Sequence, residues 1–391
     1  MTANGFELPL DVLRARRNSK WTKYAPDVLP AWVAEMDFSV AYPIRRAIDR
    51  LAADQEYGYA SRVGDDGVAE AFALRMQDRF CWTVDPALVL PLSDLVQGTF
   101  AALSVFAEPG DGIILQLPAY PPFHAAIAET GRRLVPFPLA SDGSRFVMDL
   151  DAMRALINAR TRVLLLCNPQ NPTGRVWGVE ELEAYGRIAV ERDLIIVSDE
   201  IHCDLLHGDA RHVPIASISP EIAARTVTLN SPTKSFNIPG LRCGVMHFGT
   251  QALRDRFDAR FPGHLMGSVN IFGLDATVAA WKHGQPWLDD VKLHLTAMRD
   301  RLDHRMAAEL PGIRWHAPEA TYLGWLDCSR LGLGTTAFSF FHDHAKVALS
   351  AGENFQAGSA NNVRINFATS TRILDEIITR MAEAVRRNVR D

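Results

Sequence analysis

The chain contains six lysines, at positions 20, 23, 234, 282, 292 and 346, and Lys234 stands apart from the other five. It comes just after the apolar run Thr226-Val-Thr-Leu-Asn230, in the context Ser231-Pro-Thr-Lys-Ser-Phe-Asn237. A lysine held at a strand end beside a sheet crevice can be stripped of water and become a nucleophilic amine. Taken alone it reads as a solvated surface residue. Asp199 ends a second apolar run, Ile195-Ile-Val-Ser-Asp199, followed by Glu200-Ile-His202. A carboxylate just past a buried strand is costly unless something positive faces it. A protonated heterocyclic nitrogen is one such partner, and a helix cap or a structural ion pair is another.

Three further groups gather around these two in the sequence. Gly98-Thr99 is expected to open a helical run after the apolar stretch 88–92, where its amides and a hydroxyl would hold a phosphate at the positive end of a helix. Ser231 and Arg242 flank Lys234 and would converge on the same anion, the arginine through a forked, charge-assisted contact. Asn168-Pro-Gln-Asn-Pro-Thr-Gly174 follows Val163-Leu-Leu-Leu-Cys167 and forms a rigid turn from which Asn171 could donate to a phenolate oxygen. Each feature has an ordinary structural alternative, so the weight lies in their grouping around one lysine.

The elements that must position these residues follow from hydrophobic patterning. Strands are expected over 112–116, 163–166, 194–198 and 226–230. Their continuous apolar runs point to a mostly parallel α/β sheet covered by helices on both faces. A helix over 180–192 separates two of them, with Glu180 and Glu181 in its first turn. A long amphipathic helix over 291–310 stops at Pro311-Gly312. The last twenty or so residues place Ile373, Leu374, Ile377, Ile378, Met381 and Val385 on one helical face. The expected organisation is an N-terminal segment 1–44 that joins a small C-terminal unit 286–391, around a large central unit 45–285.

Bulk properties narrow the function. With 41 Lys+Arg against 46 Asp+Glu, the net charge is only −5, which gives no electrostatic footprint for nucleic acid. No stretch is long and apolar enough to span a bilayer and no signal-peptide pattern opens the chain, so a soluble cytoplasmic protein is expected. Cys81, Cys167, Cys203, Cys243 and Cys328 are scattered, without a CxxC pair or a His/Cys cluster, and read as reduced thiols with no metal site.

The chain resembles the fold-type I pyridoxal-5′-phosphate (PLP) enzymes of the class I/II aminotransferase superfamily. More narrowly, it is similar to the cystathionine β-lyase branch often called MalY/PatB carbon–sulfur lyases. The likeness is carried by Asn18-Ser-Lys-Trp21, Trp32-Val-Ala-Glu-Met-Asp-Phe38, Tyr57-Gly-Tyr59, Pro118-Ala-Tyr-Pro-Pro-Phe123, Cys167 to Gly174, Ser198 to His202, Ser231 to Asn237 and Arg364-Ile-Asn366. It implies a large domain built on a seven-stranded, mostly parallel sheet and a smaller α+β domain. It makes Lys234 the Schiff-base lysine, Asp199 the partner of the pyridine nitrogen, Asn171 the partner of the ring oxygen, and Tyr120 the aromatic platform under the ring. Gly98, Thr99, Ser231 and Arg242 would hold the phosphate, and Arg364 the substrate carboxylate. Tyr59 would reach the cofactor phosphate of a neighbouring subunit, which implies a homodimer. His202 joins the cofactor's neighbours at a position where many aminotransferases carry tyrosine. Gln97 stands in the phosphate loop where a smaller residue is common.

The expected activity is α,β-elimination of an S-substituted cysteine to a thiol, pyruvate and ammonia. Transamination uses the same cofactor motifs and differs in where the proton returns. A third reading, a regulatory protein that has lost turnover on this fold, is opposed by the presence of both Lys234 and Asp199.

Overall fold

The computed structural model describes residues 5–60 and 67–388, so the extreme ends of the first and last expected segments lie outside it. Seven strands form the central sheet: β1 (Val89–Leu92), β2 (Gly112–Leu117), β3 (Arg133–Pro138), β4 (Thr161–Cys167), β5 (Ile195–Asp199), β6 (Thr226–Asn230) and β7 (Gly244–Phe248). Their spatial order is β1-β7-β6-β5-β4-β2-β3. The five strands from β6 to β3 run parallel, and β7 runs antiparallel to both its neighbours. Strands β2, β5, β6 and β7 are buried at every position, because helices cover both sheet faces. On one face, helices Leu95–Phe106, Pro121–Glu129 and Gln251–Arg260 contribute Ala102, Phe123 and Phe257 to an apolar layer. On the other, Val179–Glu191 contributes Leu182, Tyr185 and Ile188.

This topology brings the carboxyl ends of β1, β2, β4, β5 and β6 to a single edge. Strand β7 starts at that edge, since its first residue Gly244 pairs with Leu92, the last of β1. The crevice outside the carboxyl ends of parallel strands is where open α/β sheets hold ligands.

A second, antiparallel sheet consists of β8 (Leu323–Asp327), β9 (Ser350–Ala351) and β10 (Asn362–Asn366), ordered β8-β10-β9. It packs with the long helix Gln285–Glu309 and the terminal helix Thr371–Asn388, whose Ile373, Leu374, Ile377, Ile378 and Met381 are all buried. The long helix starts at Gln285 rather than at 291. Pro286 occupies its first turn, where a missing N–H costs nothing.

The N-terminal segment ties these parts together. Leu29–Pro30 pairs in parallel with Val347–Ala348. Asn366 donates to the carbonyls of Val33 at 2.6 Å and Glu35 at 2.7 Å. From the other side, Asn237 accepts from the Met36 amide at 2.8 Å and donates to the Met36 carbonyl at 3.0 Å. Lys20 and Asp37 form a buried ion pair at 2.9 Å behind the segment.

The turn 168–174 is clamped by Gly174, which has φ +72° and whose carbonyl accepts from the Glu319 and Ala320 amides. A Cβ there would stand 2.2 Å from Pro318 Cβ. Gly174→Ala therefore combines a left-handed backbone with a clash, and we expect a stability loss of about 3 kcal/mol in urea denaturation. Wild-type stability in this variant would show that the clamp is dispensable.

Candidate active site

A cavity of about 430 Å³ opens at the carboxyl edge of the central sheet. Its wall includes Tyr120 after β2, Asn171 after β4, Asp199 at the end of β5, His202 beyond it, Ser231, Thr233 and Lys234 after β6, Arg242 ahead of β7, and Arg364 from β10. Five separate stretches of the central chain thus meet one residue of the small sheet.

Lys234 donates from Nζ to the Ala34 carbonyl at 2.9 Å, and the Tyr322 hydroxyl reaches the same oxygen at 3.1 Å. Burial and, next, the charge of Arg364 pull the amine down to about 8, against the opposing pull of Glu35 and Asp199. At neutral pH a share of this lysine is therefore neutral and nucleophilic. Asp199 accepts from the Ile201 amide at 3.0 Å. Burial first, and Glu200 in part, push its carboxyl up to about 6, because the positive charge of Lys234 offsets only part of the desolvation.

Arg364 is 5% exposed and is held on three sides. It donates to Asn171 Oδ1 at 2.9 Å, to the Trp32 carbonyl at 2.9 Å and to Ser350 Oγ at 3.3 Å, and its guanidinium lies 4.8 Å from the centroid of the Phe355 ring. Burial lowers it to about 10, so it stays charged at neutral pH. Its Nε is a buried donor without a protein partner. An arginine can only donate, so the contact fixes the Asn171 amide with its oxygen toward Arg364 and its NH₂ free to donate elsewhere. His202 is buried, and burial with the nearby positive charges of Lys234 and Arg364 lowers it to about 3, so the ring is neutral. Its Nδ1 also lacks a partner.

The structure separates the expected phosphate-binding residues. Ser231 and Arg242 line the cavity, as does Thr233, which the sequence reading passed over. Gly98 and Thr99 do not. Thr99 is buried and spends its hydroxyl on the Leu95 carbonyl at 2.8 Å, and a Cβ on Gly98 would lie 3.0 Å from Leu229 of the sheet. The reason is register: Asp94, not Gly98, starts the helix, accepting from the Gln97 amide at 2.8 Å. Gly98 and Thr99 thus fall one turn inside, on the face packed against β6. The amides of Leu95 and Val96 are the ones left without intrahelical acceptors, and both residues line the cavity. Gln97 turns away, donating to the carbonyls of Leu265 and Met266. The Asp-apolar sequence Asp94-Leu-Val carries the N-cap signal that locates this start. Only tertiary packing brings Ala34, Tyr322, Ser350 and Phe355 to the site, so no local pattern marks them for it. Tyr59 is fully exposed and lies outside the cavity.

These residues fit pyridoxal phosphate on the chemistry of their donors. A buried carboxylate with a single amide partner suits a protonated ring nitrogen, the Asn171 amide suits the ring oxygen, and the partly neutral Lys234 amine suits the aldehyde. Free helix amides and Arg242 suit the phosphate, beside a Ser231 hydroxyl already held by the Cys243 carbonyl at 2.7 Å and by Thr233 at 2.8 Å.

Residues 33–381 match the family model described as aminotransferase class I and II. The chain is 31% identical to the cystathionine β-lyase PatB of Bacillus subtilis, over 94% of this chain and 96% of that one. It is also 31% identical to a cystathionine β-lyase of Corynebacterium glutamicum, over 96% and 99% of the two chains. The solved structure of the PLP-bound C–S lyase of Staphylococcus hominis superposes with a TM-score of 0.90 at 27% identity, covering 96% of this chain and 98% of that one.

Because the Asp199 carboxyl sits at about 6 rather than near 4, the cofactor-free fold binds its proton more tightly than the unfolded chain does. The stability it contributes is present at low pH and is lost as pH rises toward and through 6. Asp199→Asn removes that slope. Relative to wild type, the cofactor-free variant should gain up to about 3 kcal/mol between pH 4 and 7 in denaturant titrations, and a flat difference would overturn the assignment of burial as the cause.

Proposed function

The chain belongs to the aminotransferase class I and II family, and from that premise we propose that it is a PLP-dependent carbon–sulfur β-lyase acting on an S-substituted cysteine such as cystathionine. The observation that carries the reading is the convergence of Lys234, Asp199, Asn171, Tyr120 and Arg364 on one cavity. When bound, PLP supplies a carbonyl that condenses with amines and a ring that accepts electrons from the α-carbon.

The roles of the protein's own groups follow from position. With the cofactor bound, Asp199 would keep a proton on the ring nitrogen, Asn171 would donate to the ring oxygen, and Tyr120 would offer its aromatic face to the ring. Arg364, pinned by Asn171 and the Trp32 carbonyl, presents a fixed fork to the substrate carboxylate and so sets which α-bond faces Lys234. Lys234 Nζ takes the α-proton, with the Ala34 carbonyl as its resting acceptor. The electron pair left on the α-carbon expels the β-sulfur as thiolate, which is reprotonated, and hydrolysis of the remaining fragment gives pyruvate and ammonia. His202, neutral and with an Nδ1 that has no protein partner, would be a further neighbour for the ring oxygen.

We further propose that two copies assemble so that the exposed Tyr59 of each reaches the cofactor phosphate of the other. Among the described residues, no helix is long and apolar enough to cross a membrane.

Incubated with cystathionine and no 2-oxo acid, the purified protein should release pyruvate. Turnover that depends wholly on a 2-oxo acid acceptor would replace this reading with transamination. Lys234→Ala should lower kcat by about a thousand-fold. Arg364→Lys, which keeps the charge but loses the fork, should raise KM at least about ten-fold for substrates bearing the α-carboxylate. An unchanged KM would remove Arg364 from the carboxylate site.

A further inference from the structure

Asp94 stands at the cavity rim and has no part in the chemistry above. Its carboxylate makes two contacts at once: it accepts from the Gln97 amide as the cap of helix Leu95–Phe106, and it is ion-paired with Arg242. Arg242 lines the same wall as Ser231 and Thr233, is exposed, and sits on a left-handed backbone with φ 47°. Of the cations lining the cavity, Lys234 and Arg364 are committed to the reacting end, which leaves Arg242 for a phosphate. The capping bond holds the Asp94 carboxylate in place, since turning it away would leave the Gln97 amide without its acceptor. A phosphate dianion seated on the amides of Leu95 and Val96 would therefore lie beside a fixed negative charge and share its arginine with it.

We propose that Asp94 is a built-in competitor for Arg242 that loosens the grip on the cofactor's phosphate and so sets how readily the protein exchanges its cofactor. The inference rests on the pyridoxal phosphate reading, but it concerns affinity and not turnover. Like charges at close range in a partly desolvated pocket repel, and neutralising one of them releases Arg242 for the other. Serine and asparagine both remain good helix caps, so Asp94→Ser and Asp94→Asn remove the charge while keeping the acceptor for the Gln97 amide.

The test is a binding titration of the cofactor-free full-length protein with pyridoxal phosphate and, separately, with pyridoxal, followed by absorbance and tryptophan fluorescence. In both variants the Kd for pyridoxal phosphate should fall about ten-fold while that for pyridoxal stays unchanged. The inhibition constant of inorganic phosphate, corrected for the tighter binding of pyridoxal phosphate, should also fall about ten-fold in the variants. Unchanged or weaker pyridoxal phosphate binding in both variants would overturn the proposal and leave Asp94 as a cap that orients Arg242. An equal gain for pyridoxal would also overturn it, because the effect would then not act at the phosphate. Wild-type protein that binds neither compound would instead sink the cofactor assignment on which the inference rests.

Discussion

A carboxylate buried at the end of a central strand has to be answered by positive charge, and Asp199 is answered only in part. Its protein contacts are one amide and the field of Lys234, and its proton affinity is raised accordingly. The surrounding fold holds this imbalance in place. Cys167 and Leu229 pair with Asp199 from the two neighbouring strands, so the carboxylate cannot retreat to solvent without breaking the sheet. The same edge collects other groups with unused capacity: the Arg364 Nε, the His202 Nδ1 and the first amides of helix Leu95–Phe106. Buried polar groups left unsatisfied are costly, and a site that gathers several of them is built for a ligand that satisfies them together.

The opposite wall of the cavity is made by chain segments far away in sequence. Carbonyls of Trp32 and Ala34 receive Arg364 and Lys234, while Asn366 and Asn237 hold the segment between them from the two sides. The N-terminal segment therefore positions Arg364 and Lys234 at once. It does so through main-chain oxygens, whose placement depends on the backbone path and not on side-chain type. Phe355 and Ser350 of the small sheet region complete the holder for Arg364.

The end of the cavity proposed for the phosphate is electrostatically different from the end proposed for the ring. At the ring, the protein leaves charges under-compensated, so a bound cofactor gains from every contact. At the phosphate, Asp94 already compensates Arg242. One molecule would thus be gripped firmly where its chemistry happens and loosely where it is merely anchored.

Much of this was readable from residue order. Continuous apolar runs without polar alternation place β2, β4, β5 and β6 in a sheet buried on both faces, and functional residues just past such runs fall at the carboxyl edge whatever the details of packing. Lys234, Asp199 and Asn171 were legible for that reason, Tyr120 only through the family resemblance, and the terminal helix from its apolar face. Gly98-Thr99, expected at the phosphate, lie one turn inside the helix and away from the cavity wall. Gly98-Thr99 has the composition of an anion site, but the helix is started by Asp94, and residues four positions further on rotate onto the sheet. Sequence alone determined which side chains could supply chemistry and which local elements carry them, because strand and helix periodicities are set by short-range sterics and burial. Only the tertiary structure decided that Arg364 leans on Asn171, that Lys234 rests on Ala34, and that Asp94 holds Arg242, since each of these contacts joins residues more than a hundred positions apart and no local pattern encodes such distances.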